Sequence, residues 1–290
     1  MANVYQMVTD RIIEQMGKGV IPWRRPWVGG GELAISYTSR KAYSMLNQFL
    51  LGKPGERLTW HQIQELKGKV RKGAKSRFVV FYHWVAEKDE QGNPVLDPDS
   101  GEQKQYPILK WYKVFHIDDT EGIESKTVLV TPNPDISPVE RAEGIINGYL
   151  AREEGLRFIN DRMSGKAYYS PSLDEVVVPM LSQYEVPEEY YSTAFHELTH
   201  STMHESRCNR KSENKTASFG DEDYSREELV AEIGSAMLCN RAGLDSERAF
   251  KNSVAYLQSW LEALKNDNRM IVWAAGKAEK AARYILNEEQ

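Results

Sequence analysis

His196, Glu197 and His200, in the stretch Ala194-Phe195-His196-Glu197-Leu198-Thr199-His200, have the types and spacing to hold a metal ion and move a proton. Four residues of helix advance about 400°, so the two imidazoles lie one turn apart on one face. Two ring nitrogens placed that way can grip one Zn2+ at about 2.0–2.1 Å, and Glu197 beside them can take the proton of an attacking water. The pattern points to a metal-dependent hydrolase, first of all a peptidase.

Two histidines leave a catalytic zinc site one protein ligand short. His204 follows His196 by eight residues; on a continuous helix it would sit roughly two turns away, too far to share an ion. The better source is Ser225-Arg226-Glu227-Glu228-Leu229-Val230-Ala231-Glu232, where Glu228 and Glu232 share a helical face. One acid can bind zinc while the other accepts a hydrogen bond from a ligating imidazole and fixes its tautomer. Glu228 is preferred as ligand and Glu232 as the supporting acid, although Ser225 and Glu228 also fit a capping box. H-E-x-x-H followed by helical E-x-x-x-[D/E/N] resembles the gluzincin pattern of zinc peptidases, in which the first acid binds metal and the later one supports a histidine. The strand Glu175–Pro179 just before the motif helix is either an edge that holds extended substrate by strand addition or an ordinary buried strand. Tyr168, Tyr169 and Tyr224 are the candidate oxyanion donors.

The elements that must position these groups read as follows. Val4, Met7, Val8, Ile12 and Met16 recur at helical spacing until Gly17. Thr59 is placed to cap a helix over 59–66, and Ser137-Pro138-Val139-Glu140 combines a Ser cap, Pro at the first helical position and Glu two residues later. Segments 77–85 and 108–117 read as strands around a long polar hairpin loop. Residues 168–169 and 175–178 read as strands of a small sheet. Helices are expected over 190–205, 226–241, 249–264 and 269–286.

The net charge of −5 conceals an asymmetry: residues 1–85 carry 14 Lys+Arg against 5 Asp+Glu, the remainder 23 against 37. A basic front joined to an acidic remainder suggests two modules with different partners. The front holds eleven aromatics, Trp23 and Trp27 among them, interleaved with Arg24, Arg25, Lys67, Lys69, Arg71, Lys72 and Lys75. Cations that track phosphates and rings that stack on unpaired bases are what a single-stranded nucleic acid requires. No run of eighteen apolar residues occurs, so no membrane partner is expected, and neither is a secretory leader. Two cysteines, Cys208 and Cys239, are too few for a disulfide framework and suit a cytoplasmic protein.

Ile21-Pro-Trp-Arg-Arg-Pro-Trp27, Leu58-Thr-Trp-His-Gln-Ile63, Gly68-Lys-Val-Arg-Lys-Gly73 and Trp111-Tyr-Lys-Val-Phe-His116 resemble the N-terminal single-stranded-DNA-binding domain of ArdC-type antirestriction proteins. Phe195–His200 and Tyr224–Glu232 resemble the metallopeptidase domain paired with it. The resemblance implies an α+β chain: a small α/β DNA-binding domain with a β-hairpin over 1–124, a linker at 125–136, and a mostly helical, gluzincin-type zincin domain with a small sheet over 137–290. It further implies a protein of plasmids and other mobile elements that accompanies an incoming single strand and blunts host restriction. The alternatives are a DNA-binding protein with a non-catalytic zinc site, and a regulatory peptidase that cleaves a specific repressor or host protein.

Overall fold

The computed structural model describes residues 3–24, 33–89, 91–96, 102–127, 136–210, 222–249 and 254–288. The first half is a four-stranded sheet flanked by short helices. Helix α1 (Val4–Met16) is followed by β1 (Ala34–Ser36), α2 (Met45–Leu51), β2 (Gly55–Leu58), α3 (Trp60–Glu65), β3 (Lys69–Val70), β4 (Arg77–Ala86), β5 (Gln105–His116) and β6 (Thr120–Glu121). The sheet order is β1-β2-β5-β4, with β1 parallel to β2 and the other pairs antiparallel. Strands β3 and β6 form a separate two-stranded ribbon.

The second half contains α4 (Pro138–Leu150), β7 (Arg157–Ile159), β8 (Tyr168–Ser170), β9 (Glu175–Val177), α5 (Pro187–Ser201), α6 (Glu222–Ala242), α7 (Ser246–Ala249), α8 (Val254–Asn266) and α9 (Met270–Leu286). Its sheet runs β7-β9-β8. Strand β9 is therefore central, paired on both sides, and its residues are buried. It has no unpaired ladder left for a substrate, so of the two readings open from sequence it is the ordinary buried strand.

Local chemistry explains the helix starts. Thr59 accepts from the Gln62 amide at 3.3 Å while the Gln62 side chain accepts from the Thr59 amide at 2.8 Å. Ser137 and Glu140 form the same reciprocal pair at 3.2 and 2.7 Å, with Pro138 at the first helical position. Helix α2 is capped from far away: Glu279 of α9 accepts the Met45 amide at 3.0 Å, matching a carboxylate to the positive end of the helix.

The two halves share one interior. Val8, Ile12 and Met16 of α1, Phe49 and Leu50 of α2 and Val80 of β4 belong to the same apolar core as Leu229 and Ile233 of α6, Leu264 of α8, and Ile271 and Ala275 of α9. Trp23 lies in that core at 2% exposure, edge-on to Trp260 at 6.5 Å and tilted against Phe49 at 6.3 Å. The Thr9 hydroxyl donates to the Asn268 carbonyl at 2.9 Å across the same boundary. The expected linker begins with anchored residues, since the Lys126 amide donates to both Glu56 oxygens at 3.1 Å; its positions 128–135 fall outside the described residues.

Candidate metal centre and nucleic-acid surface

Helix α5 presents His196 and His200 on one face, as the four-residue spacing requires. Their Nε2 atoms stand 3.1 Å apart. Glu228 of α6 closes the group, Oε2 lying 3.5 Å from His196 Nε2 and Oε1 3.4 Å from His200 Nε2. Two donors held at about 2.0–2.2 Å from a common tetrahedral ion stand roughly 3.3–3.6 Å apart. The two Glu228 separations fall in that range and the 3.1 Å between the imidazoles lies just under it, and the donor set of two imidazoles and one carboxylate is the one that fits Zn2+ or a similar divalent ion. Among the described residues this is the one cluster of three His, Cys, Asp or Glu side chains close enough to share an ion. Exposure of 20% at His196 and 28% at Glu228 leaves the group open to solvent on one side, whereas Glu197 next to it is buried.

The supporting acid is not the one expected. Glu232 lies one turn past Glu228, about 6 Å further along the axis, and pairs with Arg24 at 2.9 Å, away from the histidines. Glu227 takes its place. Its Oε1 faces His200 Nδ1 at 3.5 Å, and the same carboxylate accepts from Arg210 Nη2 at 2.7 Å and Nε at 3.1 Å. Arg210 is itself 1% exposed and donates further to the Thr202 hydroxyl and the Thr199 carbonyl. Adjacent residues on a helix point about 100° apart. Glu228 thereby meets the Nε2 edge of His200 and Glu227 the Nδ1 edge. Neutral His200 with its proton on Nδ1 keeps the Nε2 lone pair for a metal. Burial disfavours the His200 cation, yet hydrogen bonding to Glu227 and Glu228 outweighs burial and lifts the imidazole to about 10. Burial likewise opposes ionisation of Glu228, but the two histidines hold its carboxyl far below the usual range.

The crossing of α5 and α6 that makes this possible depends on Gly234. A Cβ built there would stand 2.5 Å from Thr199 Cγ2, which no packed pair tolerates. Helix α5 ends at Ser201, four residues before the expected end, and His204 sits in the following turn with Nδ1 2.8 Å from the Ser206 hydroxyl. Of the candidate oxyanion donors, Tyr169 donates its hydroxyl to Asp174 at 2.8 Å and Tyr168 lies under the Lys166 ammonium. The side chain of Tyr224 is outside the described residues.

The nucleic-acid candidates divide sharply. Arg25 and Trp27 lie outside the described residues. Trp23 is a core residue, and half-buried Arg24 is committed to Glu232 and to the Tyr256 ring 4.0 Å away. Lys67, Lys69, Arg71, Lys72 and Lys75 are all exposed along the turn that holds β3. Arg71 donates to the Asp118 carbonyl at 3.0 Å, which ties that turn to the sheet.

The β4–β5 hairpin is a further ring-bearing surface, whose rings sequence counted without singling out their exposure. Val79 and Val80 at its base are buried on opposite faces, and beyond them the ladder carries exposed rings. Directly opposed residues share a face. Phe81, Tyr112 and Tyr106 therefore lie on one side, and Tyr82, Trp84 and Trp111 on the other. Trp84 is 60% exposed and Tyr82 50%. Phe81 packs against Tyr112 at 5.5 Å and Phe78 against Trp111 at 6.4 Å, with Lys110 and Lys113 exposed between them. The signal available in sequence was the excess of rings over what two strand faces can bury.

Comparisons with known proteins agree with both halves. Residues 2–115 match the N-terminal domain of anti-restriction factor ArdC, and residues 149–277 match a zincin-like metallopeptidase family. Two Escherichia coli proteins named DNA primase TraC are 31% and 32% identical over 99% of this chain, which spans only 20% and 27% of their length. An uncharacterized protein of Sinorhizobium fredii, y4eC, is 30% identical across 98% of this chain and 91% of its own. The crystal structure of the antirestriction ArdC protein from plasmid R388, metal-free, superposes with a TM-score of 0.70 at 33% identity, covering 99% of this chain and 100% of that one. Its Mn(II)-bound form gives 0.68 at 31% identity, over 98% and 97% of the two chains. With His196, His200 and Glu228 close enough together to share an ion, and whole-length likeness to the R388 protein, this chain belongs to the ArdC antirestriction family.

Proposed function

We propose that this protein is an antirestriction factor of a mobile element that binds single-stranded DNA through its β4–β5 hairpin and basic turn and hydrolyses peptide bonds at the His196–His200–Glu228 centre. The observation that carries the peptidase half is the convergence of three ligands at tetrahedral spacing beside a buried carboxylate, Glu197. A divalent ion held there supplies Lewis acidity toward a peptide carbonyl. Glu197 is the proton acceptor for an attacking water and the donor to the leaving amine, a role worth typically 10²–10⁴ in rate. Glu227 orients His200, and Arg210 holds Glu227. A purely structural zinc site needs no such base and commonly completes four protein ligands with Cys or His. The open side at His196 and Glu228 therefore favours catalysis over the non-catalytic alternative.

The DNA half rests on the exposed rings of the hairpin, which offer stacking platforms on both faces. A segment shared with proteins named DNA primase, and with a plasmid antirestriction protein, suits a partner that is single-stranded DNA in transit.

The test is Glu197→Gln in the zinc-loaded protein, read with a quenched-fluorescent mixture of random peptides. Cleavage should fall at least a hundredfold, with zinc content and binding to a labelled oligo-dT unchanged. Cleavage by the wild type that survives the substitution, or no cleavage of any peptide by the loaded protein, would remove the peptidase half. Oligo-dT affinity should fall linearly with salt on logarithmic axes, and Trp84→Ala should weaken it by about 1–3 kcal/mol. Affinity indifferent to both would remove the DNA half.

A further inference from the structure

A recess separate from the metal centre opens where the two halves meet along the edge of β4. It encloses about 500 Å3 between the loop over 36–44, the start of α2, strands β4 and β5, and helix α9. That volume falls within the roughly 300–1,000 Å3 of small-molecule sites. Tyr43, Phe81, Tyr82 and Tyr112 give it ring walls, Phe81 and Tyr112 packing with their centres 5.5 Å apart. Its charged groups are Lys41, which is exposed, and Glu279, which accepts the Met45 amide.

Two features of the recess are not explained by packing. The first is Gly276, in the interior of α9, where glycine is less favourable than alanine because it gives up more backbone freedom. Gly234 makes room for Thr199, but a Cβ built on Gly276 would meet nothing within 4 Å. No neighbour requires the missing side chain; what it leaves open is the recess that Gly276 lines. The second feature is the edge of β4. Val80 directs its N–H and C=O away from β5, and the Asn47 amide takes both at 2.8 Å. Residues two apart on an antiparallel strand direct their backbone groups to the same side. The β4–β5 register runs unbroken, so Tyr82 turns its own N–H and C=O to that edge, where nothing pairs with them among the described residues. A flat group with a donor beside an acceptor would continue the row that Asn47 begins.

We propose that this recess receives one unstacked base of a bound single strand. A base lies against the ring walls, takes the width that Gly276 leaves, and offers the Tyr82 edge its base-pairing side, on which a donor stands next to an acceptor. Glu279 disfavours a phosphate inside, whereas Lys41 suits the phosphate next to the inserted base, so the strand's backbone stays outside. The inference rests on the single-strand binding proposed above and adds a site to it: the hairpin rings stack bases in the open, and the recess encloses one. An added peptide strand would also pair with the Tyr82 edge, but the rings and the lysine favour a base.

The full-length protein is titrated with fluorescein-labelled oligo-dT and with an abasic strand of equal length, the ratio of the two affinities measuring what the bases contribute. Gly276→Leu fills the recess from an exposed helix position and should leave the melting temperature at or above that of the wild type, since leucine is the better helix former. It should weaken oligo-dT by about fivefold or more, the lower end of what one stacked base contributes, with the abasic affinity within about twofold of wild type. Gly276→Ala is the control for helix propensity and should keep most of the oligo-dT affinity. A wild type that binds neither strand ends the single-strand reading and this inference with it. If oligo-dT binds and responds to salt and to Trp84→Ala, yet Gly276→Leu leaves the ratio intact, the single-strand reading stands and the base site is overturned, leaving the β4 edge to a peptide strand. An equal loss on both strands also overturns it, because the leucine then obstructs the strand's backbone and not a base.

Discussion

Glu227→Gln separates the observed support of His200 from the one read along the helix face. The substitution keeps the shape of the side chain and removes its charge. Glu227 receives two hydrogen bonds from Arg210, at 2.7 and 3.1 Å, and Arg210 is 1% exposed. Breaking a buried pair by neutralising one partner leaves an uncompensated charge and costs about 3–5 kcal/mol. Thr202 and the Thr199 carbonyl continue to accept from Arg210, so the lower end of that range is expected. The second effect is on the metal. Loss of a carboxylate behind a ligating histidine typically costs 10–100-fold in affinity, equivalent to about 1.4–2.7 kcal/mol. Zinc affinity is measured by competition with a chromophoric chelator, and stability by urea denaturation of the metal-stripped protein. Glu232→Gln is the control: it loosens the Arg24 contact and lowers stability, but zinc affinity should stay within about twofold of wild type. The reasoning is refuted if Glu232→Gln weakens zinc tenfold, or if Glu227→Gln leaves zinc affinity unchanged.

Three more outcomes follow from the packing and the charges. Gly234→Ala should destabilise the protein by about 1–3 kcal/mol through overpacking against Thr199, and should weaken zinc because Glu228 rides on the displaced helix; a stable variant with wild-type affinity would show that the helices have room to spare. A fragment of residues 1–124 should expose the faces of α1 and α2 that α6, α8 and α9 cover, and therefore bind a hydrophobic dye and melt without a cooperative transition, whereas a sharp two-state melt would establish an autonomous domain. Acid should destabilise the fold through Asp174 and Glu56. Burial opposes their ionisation, but Arg207 and Tyr169 for the first, and Arg40 with Ser125 and the Lys126 amide for the second, hold both carboxyls below their ordinary values. In the unfolded chain such groups take up protons near pH 4. Stability present above that pH is thus lost as pH falls toward the folded-state values, and urea midpoints that stay flat from pH 6 to 3 would contradict it.

Short-range chemistry was legible from the residue order. The caps at Thr59 and Ser137, the Gly17 stop and the placement of His196 and His200 on one face all depend on groups within a few residues of one another, and the β4–β5 hairpin showed as two strand-like runs on either side of one polar loop. Helical period alone puts Glu228 and Glu232 on one side of α6, and it offers no way to tell which of them reaches α5. That choice belongs to the helix crossing, which the missing side chain of Gly234 allows and which brings Glu227 to the far edge of His200 while Arg24 draws Glu232 aside. The same holds for the rings and cations of the first half. Composition could count Trp23, Arg24, Tyr82 and Trp84 as equals. Only the packing of two sequence-distant halves into one core buries the first pair and leaves the second pair in solvent, because burial is a property of what arrives from elsewhere in the chain.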